Sequence, residues 1–189
     1  MQESRFRYST VSIIVHWTIF VLILANATFG GWMEDAPPSE KLGYYQLHKS
    51  VGITVLLLSL FRLGWRIAHP WPPFPEGMKL WERLFARGTH ILFYVLMIGA
   101  PLLGWAAASA GGAPEVPLYG AVPAPNLPLP QGEQLSDAFG DWHKVMVKAI
   151  YVVLALHVLG ALKHHFIDRD LVLHRMLPLV GRGRVKNDH

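Results

Sequence analysis

Residues 142–166, WHKVMVKAIYVVLALHVLGALKHHF, form an apolar run long enough to cross a bilayer as one helix. The run carries His143 near one end and His157 deep inside it. They are 14 residues apart, four helical turns less about 40°, so both imidazoles lie on nearly one face. At a rise of about 1.5 Å per residue they sit about 21 Å apart along the axis. A hydrocarbon core about 30 Å thick therefore places one histidine in each leaflet. Ionisable side chains at such depths are costly and mark functional sites. The plain explanation is two buried histidines bonded to neighbouring helices. The sharper one is two stacked cofactor sites, each completed by an imidazole from another helix.

Three further runs are of span length: 11–33, 44–67 and roughly 84–109. With 52% hydrophobic and only 16% charged residues, and the apolar residues in long blocks, the chain reads as a membrane protein rather than a soluble domain. The expected fold is all-α: a single transmembrane four-helix bundle over 1–189, with an outer loop at 110–141 and a cytoplasmic tail at 167–189. No internal repeat and no nucleic-acid motif is visible. The first run resembles a signal peptide, since Arg5 and Arg7 precede it and Ala25-Asn26-Ala27 looks like a cleavage site. Its apolar stretch continues through Trp32, so 11–33 reads as an uncleaved first helix. Cysteine is absent, which excludes disulfides, thiolate metal sites and covalent haem attachment; any haem would be b-type, held by histidine and packing.

Basic residues set the expected orientation. Arg5, Arg7, Arg62, Arg66, Lys79, Arg83, Arg87, Lys163, Arg169, Arg175, Arg182, Arg184 and Lys186 fall on one side, and only Lys41, Lys49, Lys144 and Lys148 on the other. Both termini are therefore expected in the cytoplasm. The pI of about 9.5 is a topology signal before it is a nucleic-acid signal. Residues 34–43 form a short outer link, and 68–80 (AHPWPPFPEGMKL) a proline-rich inner one with interfacial aromatics, His69 among them. The 110–141 loop contains AVPAPNLPLP, which predicts extended, polyproline-like chain that covers the outer end of the bundle or meets a partner. Pro101 lies inside the third span and is expected to kink it.

Depth sorts the other histidines. His48 and His143 share the outer level, and His16 and His157 the inner one. Matched depth on different helices is what bis-imidazole coordination of an iron porphyrin requires. His90 on the third span also lies at the inner level, so depth leaves open which two of His16, His90 and His157 act together. Gly52, Gly104 and Gly160 would let a flat macrocycle approach the backbone, although ordinary helix packing accounts for any one of them.

His16-Trp17, Leu47-His48-Lys49-Ser50-Val51-Gly52, Trp142-His143, His157 and Ala161-Leu162-Lys163-His164-His165-Phe166, in this order and spacing, resemble the bacterial cytochrome b561 family over about residues 8–177. The resemblance implies a four-helix inner-membrane protein with two b haems and quinone-linked electron transfer. It implies His16 with His157, and His48 with His143, as iron ligands, and leaves His90 without iron. Some members oxidise superoxide and pass the electron to ubiquinone. His164 and His165 then read as a quinone site at the inner boundary, where proton uptake suits histidine. Lys49, Lys144 and Lys148 read as contacts for haem propionates or for an anion such as superoxide, against the simpler reading of lysines snorkelling at a membrane edge. His174 and His189 lie in the polar tail and read as solvated.

The functional expectation is a dihaem cytochrome carrying electrons to or from the quinone pool, with superoxide:ubiquinone oxidoreductase as its sharpest form. Its partners would be lipid, quinone and a periplasmic donor. Alternatives are an electron relay for a periplasmic redox protein, a histidine-lined metal or proton transporter, and a membrane anchor. A transporter path calls for carboxylates, and 11–33 and 145–166 contain none, while Glu82 lies at an inner edge. An anchor needs no matched histidine pairs.

Overall fold

The computed structural model describes residues 8–69, 73–74, 77–170 and 172–177. Arg5, Arg7, Arg182, Arg184, Lys186 and His189, which enter the reading of orientation and tail, lie outside them, as do parts of the 68–80 link. Four helices follow in order: α1 (Thr10–Asp35), α2 (Pro38–Ala68), α3 (Leu80–Ala110) and α4 (Glu133–Lys163). All four are long and apolar enough to cross a membrane. No strand occurs among the described residues beyond one isolated bridge between Leu118 and Val122. The four-helix, all-α expectation therefore holds.

The helix limits differ from the apolar runs in a consistent way. α2 begins six residues before 44, and α4 begins nine before 142. Hydropathy detects only the lipid-embedded part of a helix, whereas the backbone continues helically into the interface. A 31-residue helix is about 46 Å long, well beyond a hydrocarbon core of about 30 Å. Local chemistry fixes the true starts. The Ser9 hydroxyl accepts from the Ser12 N–H at 3.2 Å, Pro38 occupies the first turn of α2, and the Glu82 carboxylate accepts from the Lys79 N–H at 3.0 Å. The link between α1 and α2 thus shrinks to Ala36 and Pro37, and the long loop to 111–132. α3 continues as one helix through Pro101.

Packing is uneven. α1 lies on α2, α2 on α3, and α3 on α4, with Leu96, Ala100, Ile150 and Val153 forming a buried core in the last pair. Among the described residues α4 comes nowhere within 8 Å, Cα to Cα, of α1 or α2. α4 is therefore set off from the α1–α2 pair by a cleft that side chains bridge, Ile23 of α1 packing against the α3–α4 core. The rest of the apolar surface faces outward, as lipid solvation permits: Val21, Leu57, Ile91 and Leu159 are all exposed.

One end of the bundle carries the 111–132 loop, and the other carries the start of α1 and the end of α4 and is called the terminal end below. The loop is extended, as its prolines predict, but it is tied down along its length. The Ser50 hydroxyl is fully buried; it donates to the Gln46 carbonyl at 2.6 Å and accepts from the Tyr119 N–H at 3.0 Å. The Gln46 side-chain amide donates to the Pro117 carbonyl at 2.8 Å. The Trp105 indole donates to the Pro125 carbonyl at 3.1 Å, and the Leu127 N–H to the Ser109 hydroxyl at 2.9 Å. The Lys49 ammonium, in a side chain only 7% exposed, donates to the Ala124 carbonyl at 3.0 Å. The loop thus covers this end of α2 and α3. Lys49→Met should remove that tie and destabilise the loop by about 1–3 kcal/mol. Hydrogen exchange of the amides at 117–127 should then accelerate at least several-fold, with the helix interiors unchanged.

Candidate functional site

Both histidine levels face the cleft. At the loop end, His48 on α2 and His143 on α4 present their rings to each other with centroids 6.0 Å apart and planes at 89°. At the terminal end, His16 on α1 and His157 on α4 do the same at 6.2 Å and 72°. Two metal–imidazole bonds of about 2.0 Å each, with the half-rings beyond them, add to about 6 Å. Each pair is therefore spaced as two imidazoles that share one metal ion would be. Histidine donors without thiolate or carboxylate suit the iron of a b-type haem. His90 also reaches this level, its ring 5.6 Å from that of His157, and the Phe93 ring lies 5.4 Å from the same imidazole.

The loop-end rings are oriented by the backbone. His48 Nδ1 donates to the Asn26 carbonyl at 3.0 Å, and His143 Nδ1 to the Ala100 carbonyl at 2.8 Å. That bond assigns the proton to Nδ1 and leaves Nε2 as the free donor atom. Helix carbonyls are normally screened by the side chain four residues on. Here those positions are Gly30 and Gly104, and a Cβ on either would lie 3.1 Å from Cε1 of the bonded histidine. Glycine at the fourth residue uncovers each carbonyl and lets the imidazole lie against the helix. Of the three glycines named from sequence, Gly104 makes room for the His143 imidazole. A Cβ on Gly52 would lie 3.5 Å from the Asn26 side-chain amide, and one on Gly160 would stand in open space. Asn26, Gly30 and Ala100 are missed by sequence reasoning. The signal available was a glycine four residues after a carbonyl at the depth of a histidine on the next helix.

The terminal end is a charge network. After α4 the backbone widens into a π-helical turn, His164–Asp168, closed by Arg169 at φ 53°. His164 Nδ1 contacts Asp170 at 2.7 Å and Asp168 at 3.1 Å. The Lys163 ammonium bridges Asp168 at 2.8 Å and binds the Glu82 carboxylate, tying α4 to α3. His165 packs against Phe166 and, at 5.2 Å, against His174. His174 is therefore part of this end rather than a freely solvated tail residue. His164 likewise has ionic partners that the sequence, read as helix, does not bring to it.

The three lysines at the loop end separate. Lys49 is the buried tie to the loop, while Lys144 is exposed, 4.0 Å from Asp141, and Lys148 is also exposed. Beside them a cleft of about 330 Å³ opens between α3 and α4, lined by Ser136, Asp137, Asp141 and Lys144 among others and by no histidine.

Residues 7–179 match the family model described as prokaryotic cytochrome b561. The chain is 32% identical to cytochrome b561 homolog 2 of Escherichia coli K12 over 176 residues, covering 90% of this chain and 91% of that protein. It is 29% identical to a probable superoxide oxidase of Yersinia pestis over 177 residues, covering 91% and 96%. It is also 29% identical to cytochrome b562 of Cereibacter sphaeroides over 177 residues, covering 90% and 94%. Gly104→Val should drive the His143 ring off the Ala100 carbonyl. Any haem held by His48 and His143 should then lose its low-spin signature in visible and electron paramagnetic resonance spectra.

Proposed function

The chain belongs to the prokaryotic cytochrome b561 family, and from that premise we propose that it carries electrons through two b haems to the quinone pool. In this reading His48 and His143 hold one haem, and His16 and His157 the other. The observation that carries it is the pair of facing imidazole sets in one cleft, at 6.0 and 6.2 Å. Their separation along α4, about 21 Å, spans much of the hydrocarbon core, and porphyrin edges approach more closely than their centres. The haem iron supplies one-electron chemistry. The protein's part is to fix both imidazoles of each pair, keep water out of the cleft and set the local charge.

The bundle is oriented with the loop end on the periplasmic side and both termini in the cytoplasm, as the basic residues imply. Electrons enter at the loop end and leave at the terminal end, where His164 and His165 serve a quinone. The contacts of His164 with Asp168 and Asp170 support this, because a histidine backed by carboxylates can pass a proton and recover it. His90 packs at the terminal-end pair without being one of its ligands.

Superoxide is the donor in this reading, supported by the name of the Yersinia relative and by the exposed Lys144 and Lys148, one and five residues after His143 on α4. Two superoxide ions would give two molecules of dioxygen and two electrons, and one quinone would take both with two protons to become quinol. An anionic donor would be drawn to the lysines in a salt-dependent manner. A protein donor docking on 111–132 is the second reading, supported by the ordered cover that loop forms.

A pyridine haemochrome assay after acid–acetone extraction should give two haems per chain, all extractable. His48→Ala should perturb only the loop-end haem and His16→Ala only the terminal-end one. A normal low-spin spectrum in His16→Ala, with loss of a haem in His90→Ala, would reverse the assignment. For the exit, replacing His164 and His165 together by alanine should leave stopped-flow haem reduction by superoxide intact. Reoxidation by added quinone should slow at least tenfold; an unchanged rate places the quinone elsewhere.

A further inference from the structure

Arg62 occupies on α2 the position that His157 occupies on α4. His48 and Arg62 are separated by the same 14 residues as His143 and His157, so Arg62 lies on nearly the same face as His48 and about 21 Å towards the terminal end. Each stands six residues before the last residue of its helix. Arg62 is partly buried, and its charge acts on His16, His90 and His157, the three rings of the terminal-end level. Among the described residues no carboxylate pairs with it. Glu82 and Asp168 are bound by Lys163, and Asp170 by His164. The ionisable groups acting on Arg62 are Tyr94, Tyr8 and Arg66, none of them an anion at neutral pH. A guanidinium at this depth, with no carboxylate partner among the described residues, calls for an anion. Its planar fork of donors matches an oxyanion bidentately.

We propose that Arg62 is an anion-binding residue of the terminal-end site and takes a carboxylate side chain of the porphyrin held there. This rests on the reading of His16 and His157 as a haem site. Arg62 is then a positioning residue: it anchors one edge of the macrocycle and holds a positive charge near an iron that becomes less positive on reduction. The other source of a matching oxyanion is a lipid phosphate, and the test separates the two.

Full-length protein carrying haem with carbon-13 in its carboxylates is prepared as wild type, Arg62→Gln, Arg62→Met and Arg62→Lys. Redox titration and redox-difference infrared spectra are recorded in detergent and in vesicles of varied anionic-lipid content. The two neutral variants should lower the terminal-end midpoint by about 59 mV, the one-electron equivalent of a tenfold change. They should also shift the labelled carboxylate band. Arg62→Lys should retain most of the midpoint and keep the loop-end haem unchanged. Two haems with an unmoved midpoint and an unmoved labelled band overturn the assignment alone. A midpoint that follows anionic-lipid content, with the labelled band fixed, assigns the anion to lipid and also overturns it. A wild-type protein with a single haem overturns the parent reading together with the assignment.

Discussion

An imidazole can offer one nitrogen to a ligand in a fixed direction only when its other nitrogen is already engaged. In the loop-end pair that engagement is a bond to a helix carbonyl, from His48 to Asn26 and from His143 to Ala100. Much of the architecture follows from it. The carbonyl must be accessible, so glycine stands four residues later. The two helices bearing the histidines must stay apart, so α4 packs on α3 and leaves a cleft facing α1 and α2. Inside a membrane these bonds meet little competition from water, and a ring held this way keeps its tautomer.

The chain of four helices was legible because lipid demands long apolar runs with internally satisfied backbones. Their ends were not, because hydropathy falls silent where the backbone leaves the hydrocarbon, while caps such as Ser9 and Glu82 act beyond that point. Depth matching brought His48 to His143 and His16 to His157, since rise per residue is nearly constant in a helix. It could not distinguish His90, because depth carries no information about angle around the bundle. Gly30 and Gly104 were readable only in relation to a partner on another helix, which a linear sequence does not display. Lys49 shows the same limit. From sequence it groups with Lys144 and Lys148 by charge, whereas in the fold it is buried and bound to the loop.

The two ends of the bundle solve different problems. The loop end is built from hydrogen bonds in which serines, a glutamine and a buried lysine hold extended chain over the helix ends. The Lys49 ammonium, one residue after His48, is the charged member of these ties. The terminal end is ionic, with Lys163 joining Glu82 to Asp168 and His164 facing two carboxylates. Such a network can exchange protons with the aqueous phase and changes with ionic strength. The loop end thus holds its cover mainly through hydrogen bonds to backbone groups, and the terminal end holds its turn through ion pairs.

α4 contributes one ring to each pair and is unbroken between them. It therefore acts as a ruler whose graduations are single residues. Adding or removing one residue between His143 and His157 would turn one ring about 100° away from its partner, and a full turn would be needed to restore the facing. The spacing of the two sites is thus adjustable only in coarse steps. Sequence drift along this segment is free to change the identity of lipid-facing residues such as Val145 and Val152, but not their number.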